Sequence, residues 1–224
     1  MTEDAGNSLK KSLIRETLHF LGWRGEPLDD TLIHQMRRAQ TEMTQFEVRK
    51  TYGVFSYSQG QVLGTILQPE GDDIRKLLFE SQSVVLLSVT LGDACERYIR
   101  KHLLLDAGYG MILDATASAM IEAACDQIET ELFKSVVPQG GDLTDRFSPG
   151  YGDMPLAQNK EICSILETGK RIGLTTSSGG LLIPQKSVTA IIGISDKKQI
   201  HRASPCENCK NRQYCPMAKE DSHD

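Results

Sequence analysis

The segment Arg-Phe-Ser-Pro-Gly-Tyr-Gly-Asp-Met-Pro-Leu, residues 146–156, is the stretch around which the rest of the chain is organised. Its two prolines fix their own φ angles and bias the residue before each of them toward extended conformations. Gly150 and Gly152 lie on either side of Tyr151 and allow backbone angles that other residues avoid. We therefore predict a stiff, extended loop that presents Arg146 and Tyr151. The same composition also occurs in ordinary connections, with the tyrosine packed on the core.

The length, net charge and apolar content of the chain limit the classes of protein to consider. A chain of 224 residues fits one sizeable domain, or one domain with an appendage. The formal net charge of −5 and the lack of basic clusters argue against a nucleic-acid partner. The longest apolar run, Val84–Val89, is too short to span a bilayer, so no membrane association is expected. The first residues are acidic and have no apolar signal core, which predicts a cytoplasmic protein.

The most regular pattern in the chain predicts one long helix ahead of the loop. Its apolar face has residues three or four apart, namely Leu113, Ala117, Ile121, Ala124, Ile128 and Leu132. Its solvated side carries the carboxylates of Asp114, Glu122, Asp126 and Glu129. Gly108 and Gly110 are predicted to separate it from a helix at 93–105. Further helices are predicted at 7–21, after Pro27, after Gly71 and at 156–168.

Strand signals surround these helices. Residues 48–67 predict a hairpin that turns at Gln59-Gly60, and Ser83–Val89 predicts a fully buried strand. Further strands are predicted at 142–147, 171–175 and 187–195. The fold class is α+β (mixed α/β), with an antiparallel or mixed sheet, long helices packed on it and a small C-terminal cysteine module. The expected domains are an N-terminal helical segment 1–45, an α+β core 46–197 and a cysteine-rich tail 198–224.

Two later stretches complete a pattern with the loop. They are Leu-Thr-Thr-Ser at 174–177 and Pro-Gln-Lys-Ser-Val-Thr-Ala-Ile-Ile-Gly at 184–193. Together with Arg-x-x-x-Gly-Tyr at 146–151, they make residues 142–195 resemble the activation domain of cobalamin-dependent methionine synthase, and residues 83–133 resemble it more loosely. In that family the Arg-x-x-x-Gly-Tyr segment lies along bound S-adenosylmethionine.

The resemblance implies a ligand site in this chain. Arg146 would pair with the carboxylate of S-adenosylmethionine, because a guanidinium matches a carboxylate in a bidentate way. Tyr151 would lie near the corrin face and is the expected catalytic residue. The remaining ligand contacts implied by the resemblance are Ser148, Pro149, Gly150, Thr176 and Ser187.

The resemblance also implies a function in trans. Reactivation couples a one-electron reduction of cob(II)alamin to methyl transfer from S-adenosylmethionine, and the protein contributes mainly the position of the methyl group. The chain contains no recognisable methyltransferase, folate or cobalamin domain. We therefore expect cobalamin to be supplied by a partner, either a corrinoid protein or a methionine synthase without its own activation domain. A reductant such as flavodoxin or ferredoxin would supply the electron.

A separate motif, Cys206-x-x-Cys209-x5-Cys215-Pro216, lies near the end of the chain. Thiolates at this spacing can hold zinc or an iron–sulfur cluster, and the spacing does not choose between them. His201, Cys163 or His223 could supply a fourth ligand, or an iron could remain with an open position.

Two alternatives to the leading function stay open. One is an iron–sulfur subunit that reduces a corrinoid methyltransferase without its own S-adenosylmethionine chemistry. The other is a docking subunit that uses zinc only for structure.

Overall fold

The computed structural model describes residues 13–23, 27–136 and 139–199. Its helices are α1 (13–20), α2 (Asp30–Met43), α3 (Asp72–Leu77), α4 (Gly92–Leu105), α5 (Ala107–Val136), α6 (Asn159–Ile165) and α7 (Thr168–Arg171). Its strands are β1 (Arg49–Ser58), β2 (Gln61–Val62), β3 (Ser83–Thr90), β4 (Asp142–Leu143), β5 (Thr175–Thr176), β6 (Leu182–Ile183) and β7 (Ser187–Ser195). Within these residues no helix combines the length and apolar character needed to cross a membrane.

The main sheet is antiparallel, with the order β2-β1-β3-β7-β4, and β5 and β6 form a separate pair. β3 lies in the centre and is buried at every residue from Val84 to Thr90, as its continuous apolar sequence predicts. The predicted strand at 187–195 is confirmed. The predicted hairpin is confirmed at its turn, although its second arm pairs over only two residues.

Helices cover both faces of this sheet. On one face, Val85, Leu87 and Ile192 pack into a cluster with α2, α4 and α5. On the other face, Val84 and Leu86 join a cluster with residues of α3 and α6. The predicted α+β fold class, with long helices packed on the sheet, is therefore confirmed. The division into three segments stays a prediction.

α5 follows the predicted apolar stripe, and all six of its predicted inward residues are buried. The prediction that two glycines separate α5 from α4 is wrong, because the break is at Asp106 alone. Asp106 caps α5 by accepting the Tyr109 N–H at 3.1 Å. A Cβ atom at Gly110 would lie 2.6 Å from the Leu103 nitrogen, so the corner between the helices needs glycine there.

A carboxylate fixes α2 against these two helices. Glu42 accepts hydrogen bonds from the hydroxyls of Tyr98 and Tyr109, at 2.8 and 2.9 Å, and from Arg38 Nε at 2.8 Å. The Arg38 guanidinium also lies over the Tyr109 ring, 4.4 Å from its centroid. Burial by itself raises the pKa of Glu42, but these hydrogen bonds lower the net value. We call Glu42, Tyr98, Tyr109 and Arg38 the Glu42 cluster.

Three predictions downstream of α5 need correction. The strand predicted at 142–147 is the two-residue β4 and a single bridge at Phe147. The helix predicted at 156–168 is a 3-10 turn, Leu156–Gln158, followed by α6, and Leu156 is exposed. The strand predicted at 171–175 is wrong, because α7 occupies its first residue and β5 only its last. These elements are too short for periodicity to define and depend on contacts with distant residues.

Candidate functional site

Residues 142–147 form the outer edge of the sheet beside β7. Phe147 and Ile191 exchange both backbone hydrogen bonds, at 2.9 and 2.8 Å. Thr144 donates its N–H to the Gly193 carbonyl at 3.0 Å and accepts the Gly193 N–H on its hydroxyl at 2.8 Å. Because side chains alternate along a strand, Phe147 enters the core on the α6 face while Arg146 turns toward α5. The sheet edge thus sets the direction of Arg146.

After Phe147 the chain makes two tight turns. The Tyr151 N–H donates to the Ser148 carbonyl at 3.1 Å, and the Met154 N–H donates to the Tyr151 carbonyl at 3.0 Å. Gly150 has a φ of 96°, which lets the chain reverse. The predicted extended course of this loop is therefore wrong. Its tip is nevertheless on the surface, and Tyr151 is 66% exposed, so the alternative in which this tyrosine packs on the core is also wrong.

Asp153 attaches this double turn to α3. Its carboxylate accepts the N–H groups of Asp72 and Asp73, at 2.6 and 3.1 Å. A Cβ atom at Gly71 would lie 2.5 Å from the Asp153 carboxylate, and one at Gly152 would lie 2.5 Å from that of Asp73. Both glycines are therefore needed for this approach. The sequence gives no local signal for it, because the two segments are about eighty residues apart.

Arg146 lies among three carboxylates of α5. Its Nη2 is 2.6 Å from Glu122, its Nη1 is 3.4 Å from Asp126, and it also contacts Glu129. The Arg146 side chain is only 18% exposed, whereas Asp126 is 70% exposed. We call these four residues the Arg146 cluster. Sequence reasoning assigned the three acids to the solvated side of α5 and did not connect them with Arg146.

The charges of the Arg146 cluster do not balance, because two carboxylates are in excess of the guanidinium. Burial alone lowers the pKa of Arg146, but Cys125 and the three carboxylates raise the net value above its ordinary one. Burial raises the pKa of Glu129, and the Arg146 charge offsets this only in part. Negative charge therefore accumulates at this part of the sheet edge.

Lys186 and Ser187 lie farther along the same edge. Lys186 Nζ is 2.9 Å from both Asp114 and the Ser118 hydroxyl on α5. Ser118 and Glu122 are one helical turn apart, about 6 Å, so Lys186 and Arg146 border one stretch of α5. Ser187 Oγ donates to the Pro184 carbonyl at 2.7 Å and is hydrogen bonded to the Thr90 hydroxyl at 2.7 Å.

Asn159 links the turn after Thr176 to this edge. Its amide donates to the Gly180 carbonyl at 2.9 Å, and its carbonyl oxygen accepts the Thr189 hydroxyl. A Cβ atom at Gly180 would lie 2.5 Å from the Leu156 carbonyl oxygen, so the turn packs directly on the end of the loop. The structure therefore brings the Thr176 hairpin beside the loop, through an asparagine that sequence reasoning missed.

The backbone of Thr189 faces the part of the edge with which neither β4 nor Phe147 pairs. Ile191 points its backbone groups outward to Phe147, and in an antiparallel ladder the residue two positions earlier points the same way. The chain turns away at Ser148, and within the described ranges the Thr189 N–H and carbonyl have no hydrogen-bond partner. Thr189 is only 2% exposed. Other parts of the chain therefore cover these backbone groups, and a ligand would reach them only where the covering residues move aside.

A shallow cavity of about 250 Å³ borders the Arg146 cluster. Its lining residues are Glu129, Thr130, Phe133, Leu143, Thr144 and Asp145. Acidic and apolar groups therefore meet next to the excess carboxylates.

The predicted metal ligands Cys206, Cys209 and Cys215 lie outside the described residues, as do His201 and His223. Cys163 is buried, and burial raises the pKa of its thiol. No group of three or more His, Cys, Asp or Glu suited to a metal occurs in the part of the chain that the structure describes. Zinc or iron–sulfur binding by the tail stays a prediction.

The fold and the site define an α+β domain with a charged cleft at the outer edge of an antiparallel sheet. Among solved structures, the chain is similar to the MetH reactivation domain bound to AdoHcy, with a TM-score of 0.61 over 87% of this chain and 78% of that one. The sequence identity is 14%, so the likeness shows a related fold. No protein-family model matches the sequence, and a comparison with curated proteins gives no match.

Proposed function

We propose that this protein binds S-adenosylmethionine at the sheet edge and serves as a reactivation component in trans for a cobalamin-dependent methionine synthase or a related corrinoid protein. The observation that carries the proposal is the Arg146 cluster, one guanidinium with an excess of carboxylates at the sheet edge. The fold shared with a domain bound to AdoHcy and the Arg-x-x-x-Gly-Tyr pattern support it.

The ligand's charges fit this arrangement. S-adenosylmethionine carries a carboxylate next to two positive groups, an ammonium and a sulfonium. Arg146 would hold the carboxylate, and the excess carboxylates would face the cations. Asp126 has the longest contact with Arg146 and the most exposed side chain of the three acids, so the ligand carboxylate would replace it.

The unpaired backbone at Thr189 would meet the base of the ligand once the residues that cover it move aside. Adenine presents a donor, its amino group, beside ring-nitrogen acceptors. The Thr189 N–H and carbonyl would pair with such an edge in the way that a neighbouring strand does. The backbone of Ser148, Pro149 and Gly150 would contact the rest of the ligand, with Ser187 and Thr176 along the same wall.

The methyl transfer itself requires no acid or base from this chain. S-adenosylmethionine supplies a methyl group on a positively charged sulfur, and cobalamin belongs to the partner. The role of this chain is to hold the methyl group in line with the partner's cobalt. Tyr151, at the exposed tip of the double turn, would lie at the interface with the corrin. A flavodoxin or ferredoxin donor and a cytoplasmic location stay predictions.

Titration calorimetry with S-adenosylmethionine on the full chain tests the site. Arg146→Lys keeps the charge but loses the bidentate fork, so we expect affinity to fall about tenfold or more. Glu131→Gln is the matched control, because it removes a carboxylate from the same helix at a residue that pairs with Lys50, away from the cluster. It should bind like the native chain.

Two results would count against the assignment. One is equal affinity of Arg146→Lys and the native chain. The other is equal loss in the two variants, which would show that the loss is not specific to the guanidinium fork of Arg146. Adding an oxidised corrinoid protein and a reductant then tests function, since methylcobalamin should form only when S-adenosylmethionine and this chain are both present.

A further inference from the structure

The opposite edge of the sheet, at β1, is open over most of its length. β1 has ten residues, but β2 pairs only with Tyr57 and Ser58. In the described part of the chain no strand lies beside residues 49–56 on that side.

Two hydrogen bonds show which backbone groups of β1 point away from β3. Tyr57 donates its N–H to Gln82 ahead of β3 at 2.8 Å, so Tyr57 faces β3. The Ser56 carbonyl accepts the Leu63 N–H at 2.9 Å and therefore faces outward. By alternation, Lys50, Tyr52 and Val54 also face outward. Their backbone N–H and carbonyl groups have no hydrogen-bond partner among the described residues.

Apart from Lys50, this edge lacks the features that usually prevent strand addition. Its register with β3 is regular from Arg49 to Ser56, with no bulge and no proline. Tyr52 is 43% exposed and Val54 is 56% exposed, and Lys50 is the only outward-facing charge. Open, regular edges with exposed apolar side chains pair with other strands.

We propose that β1 pairs with β1 of a second copy of this chain, antiparallel, with Tyr52 opposite the partner's Tyr52. The three outward residues without a partner, Lys50, Tyr52 and Val54, are evenly spaced about Tyr52, so a two-fold axis there pairs all of their backbone groups at once. The same register sets Lys50 opposite the partner's Val54. The two Lys50 residues are then four positions apart along the strand, about 13 Å, which exceeds the Debye length of about 8 Å. The edge is therefore complementary to itself in hydrogen bonding, and the pairing brings no like charges together.

Such a dimer joins two five-stranded sheets into one. The Arg146 cluster lies at the far edge, beside β4, so pairing at β1 leaves it accessible. The inference rests on the β1 edge alone and is independent of the proposed function.

Light scattering after gel filtration of the full chain measures the assembly. We expect the native chain at twice its mass of 24.8 kDa and Tyr52→Lys at the single mass, because that change sets two lysines opposite each other. Ile66→Lys is the matched control, since Ile66 is 71% exposed but lies off the edge, and it should remain a dimer. Circular dichroism checks that both variants are folded.

The register has its own test. Under mild oxidation Tyr52→Cys should form a disulfide-linked dimer, because opposed residues have Cα atoms about 5.5 Å apart, within disulfide range. Val54→Cys is the control and should cross-link no more than the native chain, since the two copies of residue 54 are about 13 Å apart. A native chain that stays monomeric at every concentration, a Tyr52→Lys variant that remains dimeric, or equal cross-linking of both cysteine variants would each overturn the proposal.

Discussion

The Glu42 cluster and the Arg146 cluster both join a guanidinium to carboxylate, but in different proportions and with different neighbours. Around Glu42, one carboxylate accepts hydrogen bonds from two phenols and an arginine. Around Arg146, one guanidinium contacts three carboxylates. The first set is satisfied by its own members, so its effect is to hold α2 on α4 and α5. The second keeps an excess of negative charge that a cationic ligand can neutralise. Chemical balance, more than burial, separates a structural cluster from a candidate site.

The largest effect is expected from Arg146→Ala. Removing the guanidinium leaves three neighbouring carboxylates without their counter-ion, and we expect a loss of about 2–4 kcal/mol in the free energy of unfolding. Urea denaturation at neutral pH measures it. Lys50→Ala is the matched control, because its ion pair with Glu131 is exposed and should contribute less than about 0.5 kcal/mol. Equal losses in the two variants would show that the Arg146 cluster is no more than a surface ion pair.

A smaller loss is expected from Glu42→Gln, with a defined pH dependence. The folded state lowers the pKa of Glu42 below its ordinary value of 4.5, so its stabilisation is present above that pH and is lost as the pH falls through the folded pKa. The variant should lose about 1 kcal/mol at neutral pH and nothing in strong acid. Denaturation curves across this range measure the difference. Glu47→Gln, an exposed carboxylate near the end of α2, serves as the control. A pH-independent loss would contradict the assignment.

Glu129→Gln should change the free energy of unfolding in the opposite direction to Glu42→Gln. The folded state raises the pKa of Glu129 above its ordinary value of 4.5, so stability falls as the pH rises from the unfolded pKa through the folded one. In Glu129→Gln, this loss of stability with rising pH should be absent. We expect the variant to match the native chain in acid and to exceed it by less than about 1 kcal/mol at neutral pH. A variant that is less stable at neutral pH would show that the Arg146 cluster needs all three charges.

The smallest effect on stability is expected from Tyr151→Phe. The side chain is 66% exposed, so the free energy of unfolding should change by less than about 0.5 kcal/mol. Affinity for S-adenosylmethionine should also be retained, while the rate of methylcobalamin formation should change. Unchanged turnover with a corrinoid partner would argue against a position of Tyr151 at the corrin.

The sequence predicts the elements that carry their own signal. α5 repeats its apolar residues over five turns, and β3 and β7 are continuous β-branched and apolar runs, so periodicity and composition define them. β4, β5 and α7 have two to four residues each, and long-range contacts define their ends. Sequence reasoning therefore recovers the main sheet and the helices on it, and it is weakest in the connections.

In the candidate site, too, the sequence predicts local features but not long-range contacts. The sequence singles out Arg146, Ser187 and the glycines of the loop, but it cannot show that Asp153 caps α3 or that Asn159 joins Gly180 to Thr189, because these residues are far apart in the chain. One signal for the Arg146 cluster was present. Glu122, Asp126 and Glu129 lie at i, i+4 and i+7 on α5, which sets them on one side of the helix. Because neighbouring like charges repel each other, this spacing favours a cation from another element between them.

The strand order also bears on how the chain folds. β3 pairs with β1, which precedes it closely, and with β7, whose residues follow about a hundred positions later. On the ribosome, β3 would leave the exit tunnel with one side unpaired until β7 is synthesised, about a hundred residues later. Its apolar side chains and unpaired backbone groups would stay exposed for that period, which favours slow folding and a need for chaperone protection during synthesis.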